Sequence, residues 1–257
     1  MKIAIIGVGN MGGAVCEGLF NTGMDASWEI TASDASLEKL ELLKAKYPKL
    51  DITTNNQEAA KSADVVIVAV KPWLVKPVVE ELQMTPSQIY VSIAAGVDFA
   101  QLESYTCLKG QPMFRVIPNT AISDQQSMTL ICKCHTTAEQ DELINQLFGS
   151  MGQVLFIPES KMAASTSISS CGIAYVLKYM QASIQAGIEL GLTVQEARKL
   201  TIQTLIGAAT ILKEHGQHPA TEIEKVCTPG GLTIKGINQL EHDGFTSAII
   251  NAMKVSM

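Results

Sequence analysis

The sequence predicts an α/β protein: a doubly wound, mainly parallel sheet followed by an all-α C-terminal domain. Three observations carry this. Strand-like and helix-like segments alternate through the first 158 residues, a glycine-rich turn follows the first strand, and the strand pattern stops after Pro158. Alternation of this kind marks βαβ units, because each parallel strand needs a crossover helix and the helices then cover both faces of the sheet. A length of 257 residues admits one large domain or two modest ones. The change of character divides it into 1–158 and 159–257.

Strands are expected at Lys2–Gly7, Glu29–Asp34, Asp51–Thr54, Asp64–Val70, Ile89–Ala94, Met113–Pro118, Ser127–Cys132 and Gln153–Pro158. Amphipathic stretches such as Leu37–Tyr47 and Ala138–Phe148 fall between them. The aliphatic run Val65–Val70 suits a central strand buried on both sides. Beyond Pro158, Lys161–Gly191 reads as one long helix dense in Ala, Ser and Gly. Its polar positions Lys178, Gln181, Gln185 and Glu189 recur at three- and four-residue steps, so a narrow stripe meets water and the rest is expected to be buried. Lys178 and the glutamines exclude a membrane span, which leaves the middle of a helical domain or a subunit interface. At least a homodimer is expected. Thr193 and Glu196 form a capping box for a second helix, whose apolar face runs from Ala197 through Leu200 and Leu205 to Leu212 and which Gly216 ends. His218-Pro219, a short helical piece, the turn Thr228-Pro229-Gly230-Gly231 and helices near Ile234–Leu240 and Phe245–Met253 complete the chain.

Composition narrows the function. A hydrophobic share of 47% against 17% charged residues provides for an ordered core. The net charge of −6, with no basic block, argues against a nucleic-acid partner. Cys16, Cys107, Cys132, Cys134, Cys171 and Cys227 contain no CxxC pair and no histidine at zinc spacing. No metal is expected, and the shared strand face of Cys132 and Cys134 reads as incidental. Met1-Lys2 runs straight into Ile3-Ala4-Ile5-Ile6 without a signal-peptide pattern, so a cytoplasmic location with reduced thiols is the expectation.

Gly7-Val8-Gly9-Asn10-Met11-Gly12 matches GxGxxG between a strand and a helix, the setting of a Rossmann-type dinucleotide site. The first glycine permits the tight turn, the second lets backbone approach a pyrophosphate, and the third lets helix pack on strand. The helix N-terminus then directs amides at the phosphates. Asp34 closes the second strand, where a carboxylate accepts hydrogen bonds from the ribose hydroxyls of NAD and repels a 2′-phosphate. The alternative for Asp34 is a cap of the helix near Leu37. Only two arginines exist, Arg115 and Arg198, and neither lies in this segment; Ser33, Ser36 and Lys39 remain as phosphate partners. NAD(P)H is therefore the expected cofactor, leaning to NADH. Ala69-Val70-Lys71-Pro72, Ser92-Ile93-Ala94-Ala95-Gly96-Val97 and Arg115-Val116-Ile117-Pro118-Asn119-Thr120 end three strands at the same edge and outline one crevice; Lys71 reads either as a cofactor contact or as a solvated loop lysine. Thr228-Pro229-Gly230-Gly231-Leu232-Thr233 bares amides before a helix and reads as an anion cradle or as an ordinary turn. His135, His215, His218 and His242 all fall outside these motifs.

Taken in order along the chain, Ile-Ile-Gly-Val-Gly-Asn-Met-Gly, Ala-Val-Lys-Pro, Ser-Ile-Ala-Ala-Gly-Val, Arg-Val-Ile-Pro-Asn-Thr and Thr-Pro-Gly-Gly-Leu-Thr-Ile-Lys-Gly-Ile resemble pyrroline-5-carboxylate reductase. The resemblance covers essentially the whole chain, and Pro-Gly-Gly-x-Thr-Ile is its most specific element. It implies NAD(P)H-dependent reduction of the cyclic imine 1-pyrroline-5-carboxylate to L-proline by hydride transfer to the C=N carbon. It also implies a homo-oligomer formed through the C-terminal helices. The cofactor would touch Gly7, Gly9, Asn10, Met11, Gly12, Ser33, Asp34, Asn56, Ala69, Val70, Lys71, Pro72, Ala95 and Gly96. The substrate would meet Glu159, Thr228, Gly230, Gly231, Leu232 and Thr233, with the Thr233 hydroxyl on the ring nitrogen as the one catalytic side chain. The chain departs from the family at Ser169-Ser170-Cys171-Gly172-Ile173, where Ser-Gly-Ser-Gly-Pro is usual, and at Leu232. The alternatives are a related imine or hydroxyacid reductase on the same fold, the hydroxyacid reductase with Lys161 or Lys178 as its acid/base, and a catalytically weak nucleotide-binding regulator.

Overall fold

Alternating hydrophobic residues build the first layer. The computed structural model describes residues 1–23, 28–106 and 108–257, so Cys107 lies outside the described residues. The first 170 residues run β1 (Lys2–Ile6), α1 (Asn10–Asn21), β2 (Glu29–Ser33), α2 (Leu37–Lys46), β3 (Asp51–Thr53), α3 (Asn56–Ala60), β4 (Val65–Val68), α4 (Pro72–Glu81), β5 (Ile89–Ser92), α5 (Phe99–Tyr105), β6 (Met113–Ile117), β7 (Ser127–Cys134), α6 (Ala138–Gly149), β8 (Gly152–Phe156) and α7 (Met162–Thr166). The strands lie in the order β3-β2-β1-β4-β5-β6-β7-β8. All neighbours are parallel except β6 and β7. Only a short link containing the 3-10 turn Thr120–Asp124 joins that pair, too little chain for the crossover a parallel pair needs.

Ile3, Ile5, Val65, Ile67 and Val91 point to one face of the sheet and pack with α1, α2 and α6; Ala4, Ile6, Val66, Val68 and Tyr90 point to the other, with α4 and α5. β4 is buried along its whole length between β1 and β5, as the unbroken aliphatic run requires. The expected strand over Asp64–Val70 ends at Val68, and Ala69 and Val70 turn out of the sheet. β7 runs two residues further than expected, to Cys134.

The chain divides into compact units at Met1–Ser170 and Cys171–Met257. The second is helical throughout: α8 (Gly172–Glu189), α9 (Val194–His215), α10 (Pro219–Val226), α11 (Leu232–His242) and α12 (Phe245–Val255). α8 and α9 form a close hairpin, and a Cβ on Gly187 would stand 2.8 Å from the Ala197 Cβ. The Thr193–Glu196 capping box and the left-handed Gly216 cap of α9 are both present.

The long helix is not one element. A 3-10 turn at Glu159–Lys161, α7 and a π-helical stretch at Ser167–Cys171 precede α8. Buried Asn119 donates from Nδ2 to the Ser169 carbonyl at 3.0 Å. A side chain drawing a carbonyl out of the i→i+4 ladder is a known cause of such widening. Within one chain the apolar side of α8 is not buried either: Val176 and Leu177 are 51% and 57% exposed, and Gly172 is the helix's one buried residue.

Candidate active site

Strand order reverses between β1 and β4, and in open sheets of this kind ligands bind at the carboxyl ends of the strands flanking that reversal. Gly7 follows β1 with φ 93°; a Cβ there would lie 2.9 Å from the Ala69 carbonyl oxygen. Gly12 is tighter still, since its Cβ would stand 1.9 Å from the Gly7 carbonyl oxygen. No side chain fits at that distance, so Gly12 sets how closely α1 packs on the turn. Gly9 is the opposite case: a Cβ would find nothing within 4 Å. α1 starts after Gly9 with no side-chain cap and no acidic residue in its first turn. Its opening amides therefore remain available to an anion.

Around this turn lies a cavity of about 610 Å³. Gly7, Gly9, Asn10, Met11, Asp34, Asn56, Ala69, Val70, Lys71, Pro72 and Ala95 all line it. Three expected contacts do not. Gly12 lies beneath the turn, Ser33 is fully buried and donates its hydroxyl to Asn56 Oδ1 at 2.6 Å, and Gly96 turns the chain at φ 79° just beyond Ala95. The wall also holds Ala35, Lys39, Leu74, Val78, Ile93 and Ala94. Lys39 was legible as a charge beside Asp34; Leu74 and Val78 were not, because helix periodicity alone does not say which apolar residue of α4 faces a cavity.

Asp34 ties the site together. Its Oδ2 accepts the Val8 amide at 2.9 Å and its Oδ1 the Ser36 amide at 2.9 Å, joining the end of β2 to the glycine turn. It is not the cap of α2, whose N-cap position belongs to Ser36. Lys71 occupies the N-cap position of α4, and Pro72 opens that helix with its fixed φ.

Three comparisons bear on this arrangement. Residues 2–96 match the family model described as NADP oxidoreductase coenzyme F420-dependent, and residues 159–257 match pyrroline-5-carboxylate reductase dimerisation. Pyrroline-5-carboxylate reductase of Corynebacterium melassecola is 35% identical over 97% of this chain and 94% of its own length. The chain belongs to the pyrroline-5-carboxylate reductase family. It spans 48% of the length of one relative, pyrroline-5-carboxylate reductase 1 of Dictyostelium discoideum, at 32% identity. The crystal structure of Plasmodium falciparum pyrroline carboxylate reductase with NADP bound is 26% identical, with a TM-score of 0.91 over 100% of this chain and 95% of that one.

As an oxidoreductase of this family the protein catalyses the NAD(P)H-dependent reduction of 1-pyrroline-5-carboxylate to proline and forms homo-oligomers through its dimerisation domain. The residues present fit a dinucleotide: the uncapped N-terminus of α1, the open space at Gly9 and the carboxylate of Asp34 face one cavity.

The remaining pyrroline-5-carboxylate reductase motifs lie elsewhere. Glu159 Oε1 accepts both the Phe99 amide at 2.9 Å and Arg115 Nη1 at 2.5 Å. Arg115 is buried on β6 with its guanidinium 5.9 Å from the Phe99 ring centre. One of the chain's two arginines is thus committed to an ion pair within the fold, which the strand pattern could not reveal. In the helical unit Gly230 takes φ 71°, and the Gly231 amide donates to the Thr228 carbonyl at 2.9 Å. Gly231 is the N-cap residue of α11 with no side-chain cap, and Leu232 and Thr233 follow it, both exposed. A Cβ on Gly231 would stand 2.5 Å from the Thr228 hydroxyl and 3.0 Å from the Thr228 carbonyl oxygen, so a side chain there would have to displace the Thr228 side chain.

Proposed function

We propose the following division of labour for the family's reaction in this chain. When bound, reduced nicotinamide supplies the hydride for the C=N carbon, and the protein supplies position and field. Backbone at Gly9, Asn10 and Met11 holds the diphosphate, Gly7 and Gly12 shape the turn that presents it, and Asp34 accepts hydrogen bonds from the adenosine ribose. Ser33 holds Asn56 in place, Ala69, Val70, Lys71, Pro72 and Ala95 shape the wall along which the cofactor lies, and Gly96 turns the chain just beyond that wall. Residues 1–158 make this dinucleotide domain and residues 159–257 the substrate and dimerisation domain.

On the substrate side, amides at Thr228, Gly230, Gly231 and Leu232 receive the imine's carboxylate, Glu159 borders the substrate, and Thr233 donates its hydroxyl to the ring nitrogen. Threonine's pKa is too high for it to act as the acid, so the nitrogen's proton comes with the protonated imine or from water. NADH is the preferred form, since Asp34 disfavours a 2′-phosphate and Lys39, rather than an arginine, is the cation beside it on the cavity wall. The five described cysteines are free thiols, which suits a reducing compartment, and we assign the enzyme to the cytoplasm.

The single observation behind this reading is the cavity at the β1/β4 reversal, with an uncapped helix start and an acidic residue on its wall. The test is to follow loss of reduced-nicotinamide absorbance with NADH or NADPH, with and without the imine. Oxidation should require the imine, and Thr233→Ala should lower kcat/KM about tenfold or more, the loss of one hydrogen bond of about 1.4 kcal/mol in the transition state. Cofactor binding without oxidation of either nucleotide would overturn the reading in favour of a nucleotide-binding regulator.

A further inference from the structure

Cys134 and His135 read as unremarkable in the sequence, because no ligand stands near them at metal spacing. The fold supplies one from more than thirty positions away. Glu103, on α5, brings Oε1 to 2.7 Å from His135 Nε2 and 3.8 Å from Cys134 Sγ. The three donor atoms all lie within 4.8 Å of one another. His135 takes φ 57°, a left-handed conformation uncommon outside glycine, in the residue directly after β7.

We propose that Glu103, Cys134 and His135 bind a borderline divalent cation of the zinc(II) class, with water completing a tetrahedral site. One thiolate, one imidazole and one carboxylate form a donor set typical of zinc and cobalt, and not of the all-oxygen sites of calcium or magnesium. The separations of 2.7 and 3.8 Å bracket the roughly 3.5 Å spacing between ligand atoms about a tetrahedral ion with bonds of about 2.0–2.3 Å. Side chains of intermediate or full exposure can make that adjustment. The ligand form of cysteine is the thiolate, so uptake of the ion releases the Cys134 thiol's proton to solvent.

Cys134 pairs with Met113 at the beginning of β6, so the cluster lies at the amino-terminal edge of the parallel strands. The nucleotide cavity opens at their carboxyl ends. The ion would clip α5 to the end of β7 and take no part in hydride transfer.

Cobalt(II) is the probe. Added to the reduced full-length protein, it should give a thiolate-to-cobalt charge-transfer band that saturates at one ion per chain and is displaced by zinc(II). Cys134→Ser should abolish the band, while Glu103→Gln and His135→Ala should each weaken cobalt affinity about tenfold or more. No band in the wild type, or a band that survives Cys134→Ser, would overturn the proposal. So would unchanged affinity in both Glu103→Gln and His135→Ala, which would reduce the site to a solitary thiol.

Discussion

Asp34 spends both carboxylate oxygens on backbone amides, Val8 on one side and Ser36 on the other, before any ligand is considered. Each oxygen retains a second lone pair that ribose hydroxyls can use. Two effects of Asp34→Ser follow from this. Removing the charge should raise the NADPH-to-NADH ratio of kcat/KM about tenfold, equivalent to about 1.4 kcal/mol. Leaving the Val8 amide without its acceptor should also lower stability by about 1 kcal/mol. Steady-state kinetics with both nucleotides and denaturant melts of the same variant measure the two separately; an unchanged ratio would restrict Asp34 to its structural tie. The acidic residue and its position were readable from its distance beyond Gly12. Its amide partners were not, because they depend on how the turn folds back over β2.

Elements are stabilised by their ends as much as by their faces. α6 opens with a capping box in which the Thr137 hydroxyl accepts the Gln140 amide and the Gln140 side chain returns to the Thr137 amide. Ile144, Leu147 and Phe148 of that helix are fully buried against the sheet. Thr137→Ala should therefore cost about 1 kcal/mol in global stability, read as a lower denaturant midpoint with an unchanged slope. The equivalent box at Thr193 and Glu196 was legible in the sequence, because a Thr-x-x-Glu just ahead of an apolar stripe is a local signal. The break in the long helix was not legible. The small residues at 163–170 are compatible with continuous helix, and the side chain that bonds the Ser169 carbonyl within the break, Asn119, lies some fifty residues earlier.

For the whole molecule, the contrast between the two units is the main fact. The sheet carries a buried cluster on each face. Among residues 171–257 only Gly172 and Ala197 are buried, while Leu177, Leu200 and Ile250 remain 57%, 57% and 48% exposed. Apolar exposure on that scale costs roughly 25 cal/mol per Å² until it is covered, and a partner copy packed on this dimerisation domain is expected to cover it. Sedimentation should give at least twice the chain mass at micromolar concentration, with dissociation and unfolding of the helical domain coupled. A folded monomer would contradict this.

The sequence by itself determined the α/β class, the strand–helix order, the glycine turn, the acidic residue at the end of β2 and the family. All of these rest on local periodicity, turn chemistry or contiguous motifs, which neighbouring residues encode. Tertiary structure decided what depends on distant partners: the Arg115–Glu159 ion pair, Leu74 and Val78 on the cavity wall, the hydrogen bond from Asn119 into the π-helical break, and the meeting of Glu103 with Cys134 and His135. Those contacts arise because strand order is set by how two apolar faces pack, so residues far apart along the chain become neighbours only after the sheet has closed on its helices.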